Sequence, residues 1–111
     1  MLVISIQQGE FEMLNRDEII CFLSDNLSNL KAEYNISKIG LFGSFARDEQ
    51  DEKSDVDILL EFEPGTENLY EKKTKLKEFL KSRFQRDVDL CREKYVKPYV
   101  KDYLKKEVIY V

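Results

Sequence analysis

The chain contains no histidine, and that absence removes a large part of enzyme chemistry. Without an imidazole there is no Ser-His-Asp or Cys-His catalytic unit and no His-ligated zinc centre. Its two cysteines, Cys21 and Cys91, stand 70 positions apart and cannot supply a four-thiolate site. Both read as buried, reduced thiols rather than a disulfide pair. Two prolines and four glycines are too few and too scattered to make a linker. No apolar run approaches the roughly 18 residues of a membrane helix, and no membrane association is expected. The opening MLVISIQQGEFEM lacks a basic leader and a small-residue cleavage pattern, so a cytoplasmic location is expected. Basic stretches are scarce as well: 18 Lys and Arg against 22 Asp and Glu leave a net charge of −4, so no direct nucleic-acid binding is expected.

What is present is enough for one modest core. The 111 residues are 42% hydrophobic and 12% aromatic, while 36% are charged, against roughly 25% in an average domain. The expectation is a single domain over 1–111, with an N-terminal segment and helix over 1–35 and a motif-bearing core over 36–111. With imidazole and thiolate chemistry excluded, carboxylates working with an oxygen-liking metal remain.

Hydrophobic spacing orders the chain. Leu2 to Ile6 alternates weakly and reads as an edge strand or a disordered start. Asn15 and Glu18 have capping-box spacing, and Ile19, Ile20, Leu23, Leu27 and Leu30 follow at helical intervals, predicting one helix over about 16–33. ISKIGLF reads as a strand ending at Gly43, with Ser44 suited to cap a brief helix FARDE. DVDILLEF, with a continuous apolar centre, predicts a strand covered on both faces. Leu69, Leu76, Phe79, Leu80 and Phe84 predict a long amphipathic helix, on which KKTKLK is a solvated outer face. DVDLC predicts another strand, and Pro98 opens a last helix before a short apolar end. The result is an α/β (α+β) domain with a small mixed sheet flanked by helices.

The chemistry lies in Gly43-Ser44, a gap of ten residues, Asp55-Val56-Asp57-Ile58, and Asp89 on a later strand. Side chains at i and i+2 of a strand share a face about 6.5–7 Å apart, so Asp55 and Asp57 converge while Val56 and Ile58 point to the core. Two such carboxylates repel each other, and a divalent cation between them is the simplest reason for both to stay ionised. Asp87 and Asp89 repeat the device on the next strand, and one of them could complete the cluster. At Gly43 a phosphate could approach the backbone, and the amides and hydroxyl that follow could hold its oxygens; Gly-Ser before a short helix is, alone, more often a cap. Arg47 either meets a nucleotide phosphate or the acidic cluster, or is solvated on an exposed helix. Tyr95, Tyr99, Tyr103 and Tyr110 read as core and interface aromatics rather than a stacking platform for bases.

The string LFGSFARDEQDEKSDVDILLEF resembles the nucleotidyltransferase superfamily of the DNA polymerase β type. Within it the chain is similar to the minimal nucleotidyltransferase (MNT) antitoxins, the MntA-like partners of HEPN-domain toxins. The likeness continues through Val88-Asp89-Leu90, Lys97-Pro98 and Glu107-Val108-Ile109-Tyr110-Val111. Asp48 departs from it, standing where the family usually has Gly, which bears on how the short helix ends. The resemblance implies a polymerase β-like minimal fold in which Asp55, Asp57 and Asp89 bind two Mg2+ ions and act in catalysis. Gly43, Ser44 and, less directly, Arg47 would hold the phosphates of ATP. The implied activity is transfer of AMP to a tyrosine of a HEPN ribonuclease toxin in a hetero-oligomer. With no acceptor domain in the chain, a second protein would present the hydroxyl. The alternatives are an antitoxin that acts by binding alone and a small-molecule nucleotidyltransferase.

Overall fold

A computed structural model of the chain describes residues 14–111, and the candidate strand at Leu2 to Ile6 lies outside the described residues. Helix formation starts where the side chains dictate it. Asn15 Oδ1 accepts from the Glu18 amide at 2.9 Å and Glu18 Oε1 accepts from the Asn15 amide at 3.0 Å, closing the expected capping box. The helix does not run through to residue 33. It divides into α1 (Arg16–Asp25) and α2 (Leu27–Tyr34) at Asn26, whose backbone leaves helical geometry (φ −105°, ψ 8°) while its main-chain and side-chain amides both donate to the Phe22 carbonyl, at 3.1 and 2.8 Å. α1 buries Ile19 and Leu23, four residues apart, which turns Cys21 outward. Cys21 is therefore exposed and Cys91 half-buried, correcting the expectation of two buried thiols, and both are free.

β1 (Ile36–Phe42) leads into the short helix α3 (Gly43–Ala46), then β2 (Val56–Phe62), α4 (Leu69–Phe84), β3 (Val88–Arg92), a single 3-10 turn at Glu93–Tyr95, α5 (Pro98–Glu107) and β4 (Ile109–Tyr110). The strand order is β3-β2-β1-β4, with β2 and β3 parallel and both β1 pairings antiparallel. The parallel pair follows from α4, which provides the crossover such a connection needs. Pro98 opens α5 at its first turn, where its missing N–H costs no helical bond.

The two sheet faces follow from alternation. Val56, Ile58, Leu60 and Phe62 join Ile39 and Leu41 of β1 in one buried cluster with Ile19 and Leu23 of α1, Leu30 of α2 and Leu76 and Leu80 of α4. Leu59 and Leu104 are also buried but stand outside that cluster. Leu59 has the opposite parity on β2, and with Leu104 and Val108 it lines a cavity beside α5. The apolar centre of β2 is thus covered on both faces, as expected. Gly40 admits the chain end: a Cβ there would lie 2.8 Å from Val108 Cγ1 and 3.0 Å from the Ile109 carbonyl. The C-terminal tyrosines are not core residues, in contrast to the buried Tyr34 of α2. Tyr95, Tyr99 and Tyr103 are 70%, 73% and 61% exposed, so the C-terminal region carries aromatics on its outside. Among the described residues no helix is long and apolar enough to cross a membrane.

Candidate active site

The parity that sends Val56 and Ile58 inward sends Asp57 to the opposite face, and the parallel register sets it beside Asp89. On its other side β1 places Phe42 opposite Asp57, so the turn at Gly43 closes directly against the carboxylate. Gly43 has φ +78°, and a Cβ there would lie 2.1 Å from Asp57 Oδ2. No L side chain satisfies both constraints without moving the acid. Asp55 lies one residue before β2 and is exposed at the lip of the sheet.

These acids act on one another. Asp57 is half-buried, and its carboxyl is pushed up to about 6, first by burial, then by the charges of Asp89, Asp55 and Glu107, with Arg47 pulling the other way. Asp87 is not among those charges. It precedes β3, is exposed, and pairs with Lys81 Nζ at 3.4 Å. Cys91, two residues after Asp89, has its thiol pushed up by burial and by Asp89 and Asp57.

Ser44 does not cap α3 as expected. Phe42 occupies the N-cap position and no side chain caps the helix, which starts two residues earlier than FARDE would. Phe45 explains the shift: fully buried, it anchors α3 into the core and draws the turn in behind it. Asp48 ends this segment with φ +60°, its amide donating to the Phe45 carbonyl at 3.1 Å. That left-handed conformation is the one glycine adopts at least cost.

Arg47 is not merely solvated. Its Nε donates to Glu49 Oε1 at 2.9 Å and its Nη1 to Glu107 Oε1 at 2.8 Å, holding its guanidinium charged, with Glu49 the larger influence. Glu107 also accepts from the Gly43 amide through Oε2 at 2.7 Å. Sequence reasoning missed Glu107 as a site residue. The available signal was helical: it falls three positions after Leu104, on the side of α5 that faces the sheet. Arg86 was missed too. Its Nη1 donates to the carbonyls of Asp51, Glu52 and Ser54 at 3.0, 3.3 and 2.7 Å, and its guanidinium lies 5.2 Å from the centre of the Phe45 ring. One side chain therefore ties the loop that delivers Asp55 to the helix after Gly43.

Residues 23–111 match the model of a family described as "Nucleotidyltransferase domain". The chain belongs to that family. This minimal nucleotidyltransferase is MntA-like. It is 35% identical over 99 residues to protein adenylyltransferase MntA of Thermococcus cleftensis, covering 89% of this chain and 98% of the relative. A Methanocaldococcus jannaschii relative, named as a candidate protein adenylyltransferase, is 37% identical over 100 residues, covering 89% of this chain and 100% of the relative. Among solved structures, one described as a candidate minimal nucleotidyltransferase superposes with a TM-score of 0.72 at 28% identity, covering 86% of this chain and 95% of that one. A toxin-antitoxin crystal structure with AMP-PNP superposes with a TM-score of 0.59 at 26% identity, covering 87% of this chain and 72% of that one. The small mixed sheet with helices is the fold of this family.

Among the described residues no three His, Cys, Asp or Glu side chains are already gathered into a metal cage. The donor chemistry nonetheless fits a hard divalent cation. The acids at Asp55, Asp57 and Asp89 offer only oxygen, and their mutual repulsion, read in the raised Asp57 carboxyl, is what a cation would relieve.

Proposed function

We propose that this nucleotidyltransferase is a Mg2+-dependent protein adenylyltransferase that moves AMP from ATP to a tyrosine of a HEPN-domain ribonuclease toxin and so neutralises it. The observation that carries the reading is the apposition of Asp57 and Asp89 in parallel register against the Gly43 turn. The names of the adenylyltransferase relatives support the reaction, and the AMP-PNP in a toxin-antitoxin neighbour supports both the nucleotide and the kind of partner.

In this reading Gly43 and Ser44 hold phosphate oxygens of ATP, and Arg47 adds a cation at the rim. Asp55, Asp57 and Asp89 would hold Mg2+, which when bound stabilises the charge that builds on the phosphate oxygens. The tyrosine oxygen attacks the α-phosphorus, forming one P–O bond as the α–β anhydride bond breaks. Pyrophosphate leaves with the electron pair, and AMP remains on the acceptor. A free tyrosine hydroxyl titrates near a pH of about 10, so it needs a base, and Asp89 is assigned to take the proton. The acids do without histidine the proton handling that imidazole performs elsewhere.

The test is intact-mass spectrometry of a co-expressed HEPN partner after incubation with this protein, ATP and Mg2+. A gain of one or more AMP units, lost in the Asp55→Asn/Asp57→Asn variant, establishes the activity. No gain, with tight complex formation by both forms, refutes AMP transfer and assigns neutralisation to binding.

A further inference from the structure

Glu107 occupies the place where the proposed nucleotide would bind. It is the last residue of α5, about 60 positions from the Gly43 turn in sequence, yet both its oxygens are engaged there. Oε2 accepts from the Gly43 amide at 2.7 Å and Oε1 accepts from Arg47 Nη1 at 2.8 Å. The side chain is 9% exposed against 40% for Arg47. A backbone amide beside a guanidinium is a donor set suited to phosphate oxygens as well as to a carboxylate.

We propose that Glu107 is a built-in competitor of the nucleotide, holding the Gly43 amide and Arg47 until the triphosphate displaces it. The inference rests on the nucleotide reading of the Gly43 turn given above. The negative charge is held here by Arg47, the same cation that a phosphate would engage. Glu107 adds to the charges that already burden Asp57, and a neutral glutamine could accept the same amide hydrogen. Displacement is sterically open, because a cavity of about 330 Å³ lined by Ala46, Arg47, Tyr103 and Lys106 adjoins the carboxylate. Arg47 remains tethered when Glu107 leaves, since its Nε is held separately by Glu49 at 2.9 Å. The guanidinium is thus available to the incoming phosphate in the position Glu107 vacates.

Two charge-assisted hydrogen bonds must be exchanged on binding, so removing the competitor should tighten nucleotide binding by about tenfold. The experiment is calorimetric titration of the full chain with AMP-PNP and Mg2+, for wild type, Glu107→Gln and Glu107→Ala, with melting temperatures measured in parallel. Tighter binding by folded variants is the expected result. Wild-type binding with neither folded variant tighter overturns the competitor role and leaves the nucleotide reading standing. If Glu107→Ala melts below the titration temperature, Glu107→Gln alone decides. No binding of AMP-PNP by folded wild type removes the nucleotide reading and this inference with it.

Discussion

Asp57 should weaken the metal-free protein, and Asp57→Asn should stabilise it. The ordinary aspartate value is 3.8, and in the fold burial followed by Asp89, Asp55 and Glu107 raises it to about 6. A carboxyl raised on folding binds its proton more tightly in the native state. Below 3.8 both states are protonated and the group is neutral in its effect; above about 6 the native state bears the full cost of ionisation. This contribution therefore falls as pH rises between those values. At about 1.36 kcal/mol per pH unit, the interval from 3.8 to about 6 corresponds to roughly 3 kcal/mol at full burial. Asp57 is only half-buried, and solvent screening reduces the cost to about 1–2 kcal/mol. An asparagine of the same shape carries none of it. In EDTA at pH 7.5, Asp57→Asn should melt about 5 °C above wild type, and the gap should close towards pH 4. Taking the difference between the two proteins cancels the other carboxylates, among which Glu61 and Glu93 have lowered values and the opposite pH trend. Mg2+ should raise the melting temperature of wild type more than that of the variant. A variant less stable than wild type at pH 7.5 in EDTA, or a gap unchanged at pH 4, would refute the argument.

Two substitutions test the short segment that carries the turn. Gly43→Ala places a Cβ 2.1 Å from Asp57 Oδ2 on a backbone with φ +78°. It should cost about 1–2 kcal/mol from the left-handed conformation alone and, by moving Asp57, lower AMP transfer by about a hundredfold; transfer at the wild-type rate by the folded variant would contradict the site. Asp48→Gly should relieve the conformation at φ +60°, raising the melting temperature by about 2–4 °C; an unchanged or lower value in a thermal melt would show that Asp48 is at ease there.

Local signals were readable because their physics is local. The capping box at Asn15 and Glu18 joins residues three apart, and the alternation of Val56-Asp57-Ile58 follows from the pleat of one strand. The departure at Asp48 could likewise be located, since a helix end that favours glycine implies a left-handed backbone. Other expectations failed for reasons that spacing does not encode. Periodicity continues across Asn26, and the break shows only in its backbone angles, φ −105° and ψ 8°. Cys21 follows an apolar pair in sequence, yet the core selected Ile19 and Leu23. The C-terminal tyrosines have the composition of a core and the exposure of a surface, because α5 faces the sheet with Leu104 instead.

The sequence by itself limited the kind of chemistry: no imidazole, no thiolate cage, an Asp-x-Asp pair at the head of a strand, and a glycine before it. Tertiary structure decided which groups meet. Pairing of β2 with β3 in parallel register set Asp89 rather than Asp87 beside Asp57. The return of α5 across the sheet brought Glu107 onto the Gly43 amide and Arg47, and Arg86 onto the loop before Asp55 came from the far end of α4. Residue spacing reports which face of an element a side chain occupies. Contacts between segments dozens of residues apart depend on strand order and crossover, which are chosen by how the whole apolar surface can be buried at once.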